Sequence, residues 1–177
     1  AKGNAASFTS VTHWMDGDGK AFIEEERSFT VSAGAHGGRA LIDFQSKLTP
    51  IRGDVQLKGD PEHAGIQYRP ANEVDKKLTK YVFPKGVEKV KGTKDMPWAA
   101  ENYTLAGKQY GVVHLNSKSN PKGTVHSAYR DYGRFGAFFE KDVKQGEPLT
   151  LNYGFLIVDG ELPGQDDIQK VWEAWGK

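Results

Sequence analysis

The chain has 177 residues, enough for one domain of ordinary size, and its 24 basic and 23 acidic residues leave a net charge of +1. That balance provides no global field to draw in nucleic acid or an anionic membrane. The absence of cysteine excludes disulfides, thiolate catalysis, iron–sulfur clusters and cysteine-based zinc sites, and no apolar stretch approaches the ~20 residues of a membrane-spanning helix.

Twenty-one glycines and few helical patterns predict many short strands joined by turns. Phe8 to Met15 alternates apolar and polar residues as a strand does, and Asp16-Gly17-Asp18-Gly19 predicts a tight turn into a partner strand, Phe22 to Val31. On that second strand Glu24 and Glu26 share a face with Phe22, and Glu25 lies opposite. Gly34 to Gly38 reads as a turn, Arg39 to Leu48 as a strand, and Val55 to Leu57 and Gly65 to Arg69 as short extended pieces. Asn72 to Lys94 reads as a polar, lysine-rich solvated excursion, with a short helix expected over Asp75 to Tyr81. Gly107 marks a turn before a strand at Gln109 to Leu115. Two further strands, Gly136 to Glu140 and Pro148 to Val158, flank a Lys-Gln-Gly-Glu turn. Ile168, Val171, Trp172 and Trp175 recur at helical spacing after Asp166 and Asp167, with Gly176 as the stop. They predict one amphipathic helix whose tryptophans pack on a sheet. The total is roughly ten short strands and a terminal helix in a single domain over 1–177. The fold class is therefore all-β: an antiparallel sandwich with one C-terminal α-helix.

Several signatures of known chemistry fail. The Asp16 turn resembles the start of a calcium loop, but the sixth and twelfth positions are Ala21 and Arg27 where Gly and Glu are needed. No P-loop, dinucleotide fingerprint, nucleophile elbow or paired zinc histidines occur. His36 and His63 lie in turn-like segments. His114 and His126 bracket a long loop, where they could converge, and His13 could join them only through folding; three histidines would suit a metal.

That loop, Asn120 to Gly136, is the segment richest in chemistry. In extended structure Arg130, Tyr132 and Arg134 share a face, which supplies planar guanidinium forks for anions or vicinal hydroxyls and a ring on which a sugar can stack. The same residues read equally as structural, with an Arg130–Asp131 or Arg–Glu pair tying the loop to the sheet.

Trp14–Arg27, Gly38–Leu48, the Pro97-Trp98 step, Gly111–Pro121 and Arg130–Phe135, in this order and spacing, resemble a bacterial domain family of unknown function once labelled methane oxygenase. The resemblance covers nearly the whole chain and implies a sandwich related to galactose mutarotase. Asn120, Pro121, Arg130, Asp131, Tyr132 and Gly133 match the family pattern. Two of its histidine places hold Ser117 and Ala128 here, so histidine catalysis does not carry over to them. A His-His-Arg-Gly run found upstream in the family is absent. The resemblance thus implies the later portion of a longer domain, with an open sheet edge that a partner segment or a second copy completes. Methane chemistry itself would need spanning helices and metal ligands that this chain does not display.

The resulting expectation is a carbohydrate-active sandwich that binds or processes a small-molecule sugar or oligosaccharide at a concave sheet face. In its enzymatic form the chemistry is acid–base chemistry of mutarotase type. His126 or His114 is then the acid and Glu24 or Glu26 the base, while Asn120, Arg130, Tyr132, Arg134 and Trp14 hold the ligand. No cofactor, metal, nucleic acid or membrane span enters this reading, and a periplasmic or secreted setting is favoured. The alternatives are a non-catalytic carbohydrate-binding or structural module and a metal-dependent cupin-like enzyme.

Overall fold

A computed structural model describes residues 3–176. Twelve strands and one helix follow in order: β1 (Ala5–Met15), β2 (Ala21–Ala33), β3 (Ala40–Pro50), β4 (Val55–Leu57), β5 (Ile66–Tyr68), β6 (Lys80–Val82), β7 (Trp98–Leu105), β8 (Lys108–Asn116), β9 (Val125–His126), β10 (Phe135–Phe138), β11 (Lys141–Val143), β12 (Leu149–Asp159) and α1 (Gln165–Trp175). Seven form one sheet in the order β1-β2-β3-β12-β8-β7-β6. A three-stranded sheet, β5-β10-β9, and the pair β4-β11 form a second layer, and every pairing is antiparallel. The chain is an all-β sandwich with a C-terminal helix, as its alternation and turn chemistry predict.

The large sheet is covered on both faces at its centre. On β8, Val113 and Leu115 face α1, where they join Leu41, Trp98, Leu156, Ile168, Val171 and Trp175. Val112 faces the smaller sheets, among Ile23, Phe44, Leu48, Phe135, Phe139 and Tyr153. Burying a side chain of this size is worth about 1.5–3 kcal/mol, so the two faces together hold the fold. Three indoles fasten the helix. Trp98 Nε1 donates to Gln169 Oε1 at 3.0 Å, Trp172 Nε1 to the Asn116 carbonyl at 2.8 Å, and Trp175 Nε1 to Asp43 Oδ1 at 2.5 Å. Gly176, in the left-handed region at φ 69°, ends the helix by donating its N–H to the Trp172 carbonyl.

The expected helix over Asp75 to Tyr81 is instead a single 3-10 turn, Lys76–Leu78, capped by the Asp75 side chain on the Lys77 N–H. Its continuation is recruited as β6, which pairs with β7 at the sheet edge. The strand expected at Gly136 to Glu140 is β10, Phe135–Phe138, and the chain then enters β11, a separate short strand in the other small sheet. β7, which the pattern did not single out, joins β8 through Ala106 and Gly107. Both have positive φ, 48° and 74°, as a two-residue hairpin of matching twist requires.

Candidate functional site

The β1–β2 hairpin decides the fate of the three glutamates. Glu24 and Glu26 point to the exposed outer face of β2, where Glu24 meets His13 at 3.3 Å. Glu25 points inward and is buried. Its carboxylate accepts from Trp14 Nε1 at 2.8 Å, an Arg27 guanidinium nitrogen at 2.6 Å and Ser46 Oγ at 2.6 Å. Those donors, Arg27 foremost, outweigh burial and hold the carboxyl below its ordinary range. Trp14, 37% exposed, is therefore occupied as a donor on the edge strand.

His114 and His126 do converge, but inside the protein. His114 stands on β8 and His126 on β9, one in each layer, with ring centroids 5.4 Å apart and nearly perpendicular planes. Phe155 at 4.8 Å, Tyr153 at 5.4 Å and Phe135 at 6.1 Å complete an aromatic cage around His114. No ring nitrogen of either histidine has a hydrogen-bond partner, and neither has the Tyr153 hydroxyl. Burial, reinforced by the neighbouring imidazole, holds His114 well below its usual value, and burial takes His126 down to about 4. Both are neutral core residues at physiological pH. β2 lies three strand spacings from β8, about 14 Å, and Glu24 and Glu26 lie on the outer face of the sheet, so no acid–base pair forms between them and the histidines. His13 sits on the outer face of β1 and His36 and His63 in exposed turns; among the described residues no three His, Asp or Glu side chains are placed to hold a metal ion.

Asn120 is also buried and fully used. Its amide nitrogen donates to Asn116 Oδ1 and to the Asn152 carbonyl, both at 2.8 Å, and its Oδ1 accepts from the Asn152 N–H at 2.8 Å. It pins the loop after β8 to β12, beside a cleft of about 160 Å³ where the Lys118 ammonium lies 4.6 Å from the Trp172 ring centroid.

The Arg130–Arg134 segment remains at the surface. Glu62 anchors it: the carboxylate pairs with Arg130 and accepts from the Tyr129 hydroxyl at 2.8 Å, and the Glu62 carbonyl accepts from Arg134 at 2.5 Å. Tyr81 on β6 donates its hydroxyl to the Arg130 carbonyl at 2.7 Å. Three cations then surround the Tyr132 ring, Arg130 at 5.6 Å, Arg134 at 5.8 Å and Lys76 at 5.9 Å from its centroid. Tyr132, Arg69, Pro70, Ala71, Asn72 and Lys76 line a cleft of about 250 Å³. Arg130, Tyr132 and Arg134 are brought together by a turn, in which the Gly133 N–H donates to the Arg130 carbonyl at 3.1 Å, and not by the extended backbone the sequence suggested, while Trp14 lies at the opposite edge of the seven-stranded sheet, six strand spacings away.

Beneath this cleft lies a residue the sequence reading missed. Glu101, on β7, is completely buried, and neither carboxylate oxygen has a hydrogen-bond partner. Burial lifts its carboxyl from the ordinary 4.5 to about 8, against the opposing influence of the Tyr81 hydroxyl. At neutral pH it is a proton-bearing acid. It abuts Gly133 of the motif loop: a Cβ added there would stand 2.9 Å from Pro70 Cγ and 3.2 Å from Glu101 Oε1. The available signal was a lone acid among apolar residues, Trp98-Ala99-Ala100 before it and Tyr103 after it.

A family profile described as a family of unknown function, DUF6807, matches residues 1–173, nearly the full length. The chain belongs to this family. In this DUF6807 chain the matched residues include both layers of the sandwich, the Tyr132 cleft and Glu101. No curated protein matches it.

Proposed function

We propose that this DUF6807 protein is carbohydrate-active, and that a sugar or oligosaccharide seats against Tyr132 in the 250 Å³ cleft. What carries the reading is the set of groups on that wall. An aromatic ring offers its face to sugar C–H groups, and Arg69, Asn72, Lys76 and the guanidinium groups of Arg130 and Arg134 offer donors to hydroxyls. Such sites combine an apolar wall with a few convergent polar groups. In the enzymatic form of the proposal, acid–base chemistry of mutarotase type falls to Glu101, the proton-bearing carboxyl in contact with the floor, in place of the histidines.

A second reading, a carbohydrate-binding module without chemistry, is favoured by one observation. Glu101 has no exposure, so proton transfer requires Gly133 and Pro70 to move aside. Glu101→Gln separates the two: it leaves binding intact under both readings and abolishes turnover only under the first.

The proposal also assigns the outer edge of β1 to a partner segment or a second copy that adds a strand. Phe8 and Val11 are each 58% exposed there, and His13 is the only titratable side chain from Ala5 to Met15.

The test is a glycan array probed with wild type and Tyr132→Ala. The wild type is expected to bind a defined set of glycans that the variant loses while keeping its melting temperature. An unchanged profile in the variant would remove the cleft from the account.

A further inference from the structure

We infer that the sugar in the Tyr132 cleft is acidic, carrying a carboxylate or a phosphate or sulfate ester; this rests on the sugar-binding reading above. The charged side chains lining the cleft are Arg69 and Lys76, and no carboxylate lines it. Arg130 and Arg134 stack beside the same ring, which places four cations around one small hollow in a chain whose net charge is only +1. The single carboxylate that ties the loop down, Glu62, pairs with Arg130 alone. Among the described residues Arg69, Lys76 and Arg134 form no ion pair. Arg134 gives one bond to the Glu62 carbonyl, which leaves donors of its fork unspent.

Arg52, Lys85, Lys144 and Lys170 each have an acidic partner, Asp16, Asp166, Asp54 and Asp167, such as Arg69, Lys76 and Arg134 lack among the described residues. The charged groups lining the cleft are cations alone, and a hollow lined by one sign of charge concentrates ligands of the other sign. Guanidinium forks match the two oxygens of a carboxylate or an ester oxyanion, and such charge-assisted bonds are about twice as strong as neutral ones. A neutral hexose would leave Arg69 and Lys76 with only water or a hydroxyl to address. An acidic one satisfies them while its ring stacks on Tyr132.

The experiment is a titration of the intact chain followed by amide chemical shifts. The probes are D-glucuronate, D-galacturonate, glucose 6-phosphate, D-glucose and D-galactose. The inference predicts that at least one acidic probe binds at Tyr132, Gly133 and Lys76 about tenfold or more tighter than its neutral counterpart. It also predicts that this preference falls as salt is raised from about 20 to about 500 mM. The uronates and the phosphate ester distinguish the two sources of negative charge. Lys76→Gln and Arg69→Gln should each weaken the acidic probe more than its neutral counterpart and so erode the preference, and folding is checked by the dispersion of the same spectra. Equal affinity for acidic and neutral sugars at the cleft would overturn the acidic-ligand inference and leave the sugar-binding reading standing. Shifts at the cleft with no sugar, acidic or neutral, would overturn both.

Discussion

Gly133 and Glu101 touch through the position where a side chain would begin. A Cβ on Gly133 would lie 3.2 Å from Oε1 of Glu101, with φ at 74°. The surface loop and the buried carboxyl are therefore in direct contact, which only glycine permits. Gly133→Ala combines a left-handed backbone penalty of about 1 kcal/mol with a 2.9 Å approach to Pro70 Cγ. A loss of about 1–3 kcal/mol in denaturant unfolding is expected. No loss would mean that the floor of the cleft is looser than this contact requires.

Glu101 also sets a pH dependence. Folded, it keeps its proton up to about 8; unfolded, it releases it near 4.5. The folded state thus holds the extra proton in that window, and stability falls as pH rises through it, by up to about 1.4 kcal/mol per pH unit. In Glu101→Gln this component vanishes. The variant should gain on wild type steadily from about pH 5 to about pH 8, as followed by melting temperature. Parallel curves would show that Glu101 finds a partner for its charge.

The two core histidines act in the opposite direction. Each is held below its usual 6.5, and His126 reaches about 4. Their contribution is present in full above 6.5 and is lost as pH falls toward 4, because the unfolded chain takes up protons that the core refuses. His126→Leu keeps similar volume and should recover up to about 2 kcal/mol relative to wild type near pH 5, with little change near pH 7. Together with Glu101 this places the stability maximum of the wild type near pH 6.5.

Glu62 is predicted to be the clasp of the motif loop. It engages Tyr129, Arg130 and Arg134 at once. Glu62→Ala should cost about 1–2 kcal/mol, since a half-buried charged hydrogen bond is lost and Arg130 is left without its partner. Amide exchange should accelerate in residues 127–134 more than in the sheet. Uniform acceleration across the sheet would mean a global effect instead.

How much of this could be read from the chain follows from the physics of each part. β3, part of β2 and the ends of β12 bury one face and show the other to water, so Phe22 to Val31 and Arg39 to Leu48 carry a visible alternation, whereas β1 is exposed along nearly all its length. The start of β7 is buried on both faces, and Trp98-Ala99-Ala100 therefore shows no alternation to detect. β9 and β11 have two and three residues, too few for any period. In the site, Arg130, Tyr132 and Arg134 were legible because their chemistry is concentrated in one loop. Glu62, Arg69, Lys76 and Glu101 were not, since only folding brings residues 30 to 70 positions away against that loop. The glutamate triplet shows the limit of local reasoning. Alternation separates Glu25 from Glu24 and Glu26, but only the layer above the sheet decides that Glu25 faces inward.

Tyr132 and its surrounding cations are proposed to form a sugar site. The most direct measurement is a structure of the intact chain soaked with the best-binding glycan from the array. The expected result is a sugar ring stacked on Tyr132 within hydrogen-bond reach of Arg69 or Lys76. A glycan seated elsewhere, on the Trp14 face or in the Lys118–Trp172 cleft, with the Tyr132 hollow empty, would contradict it.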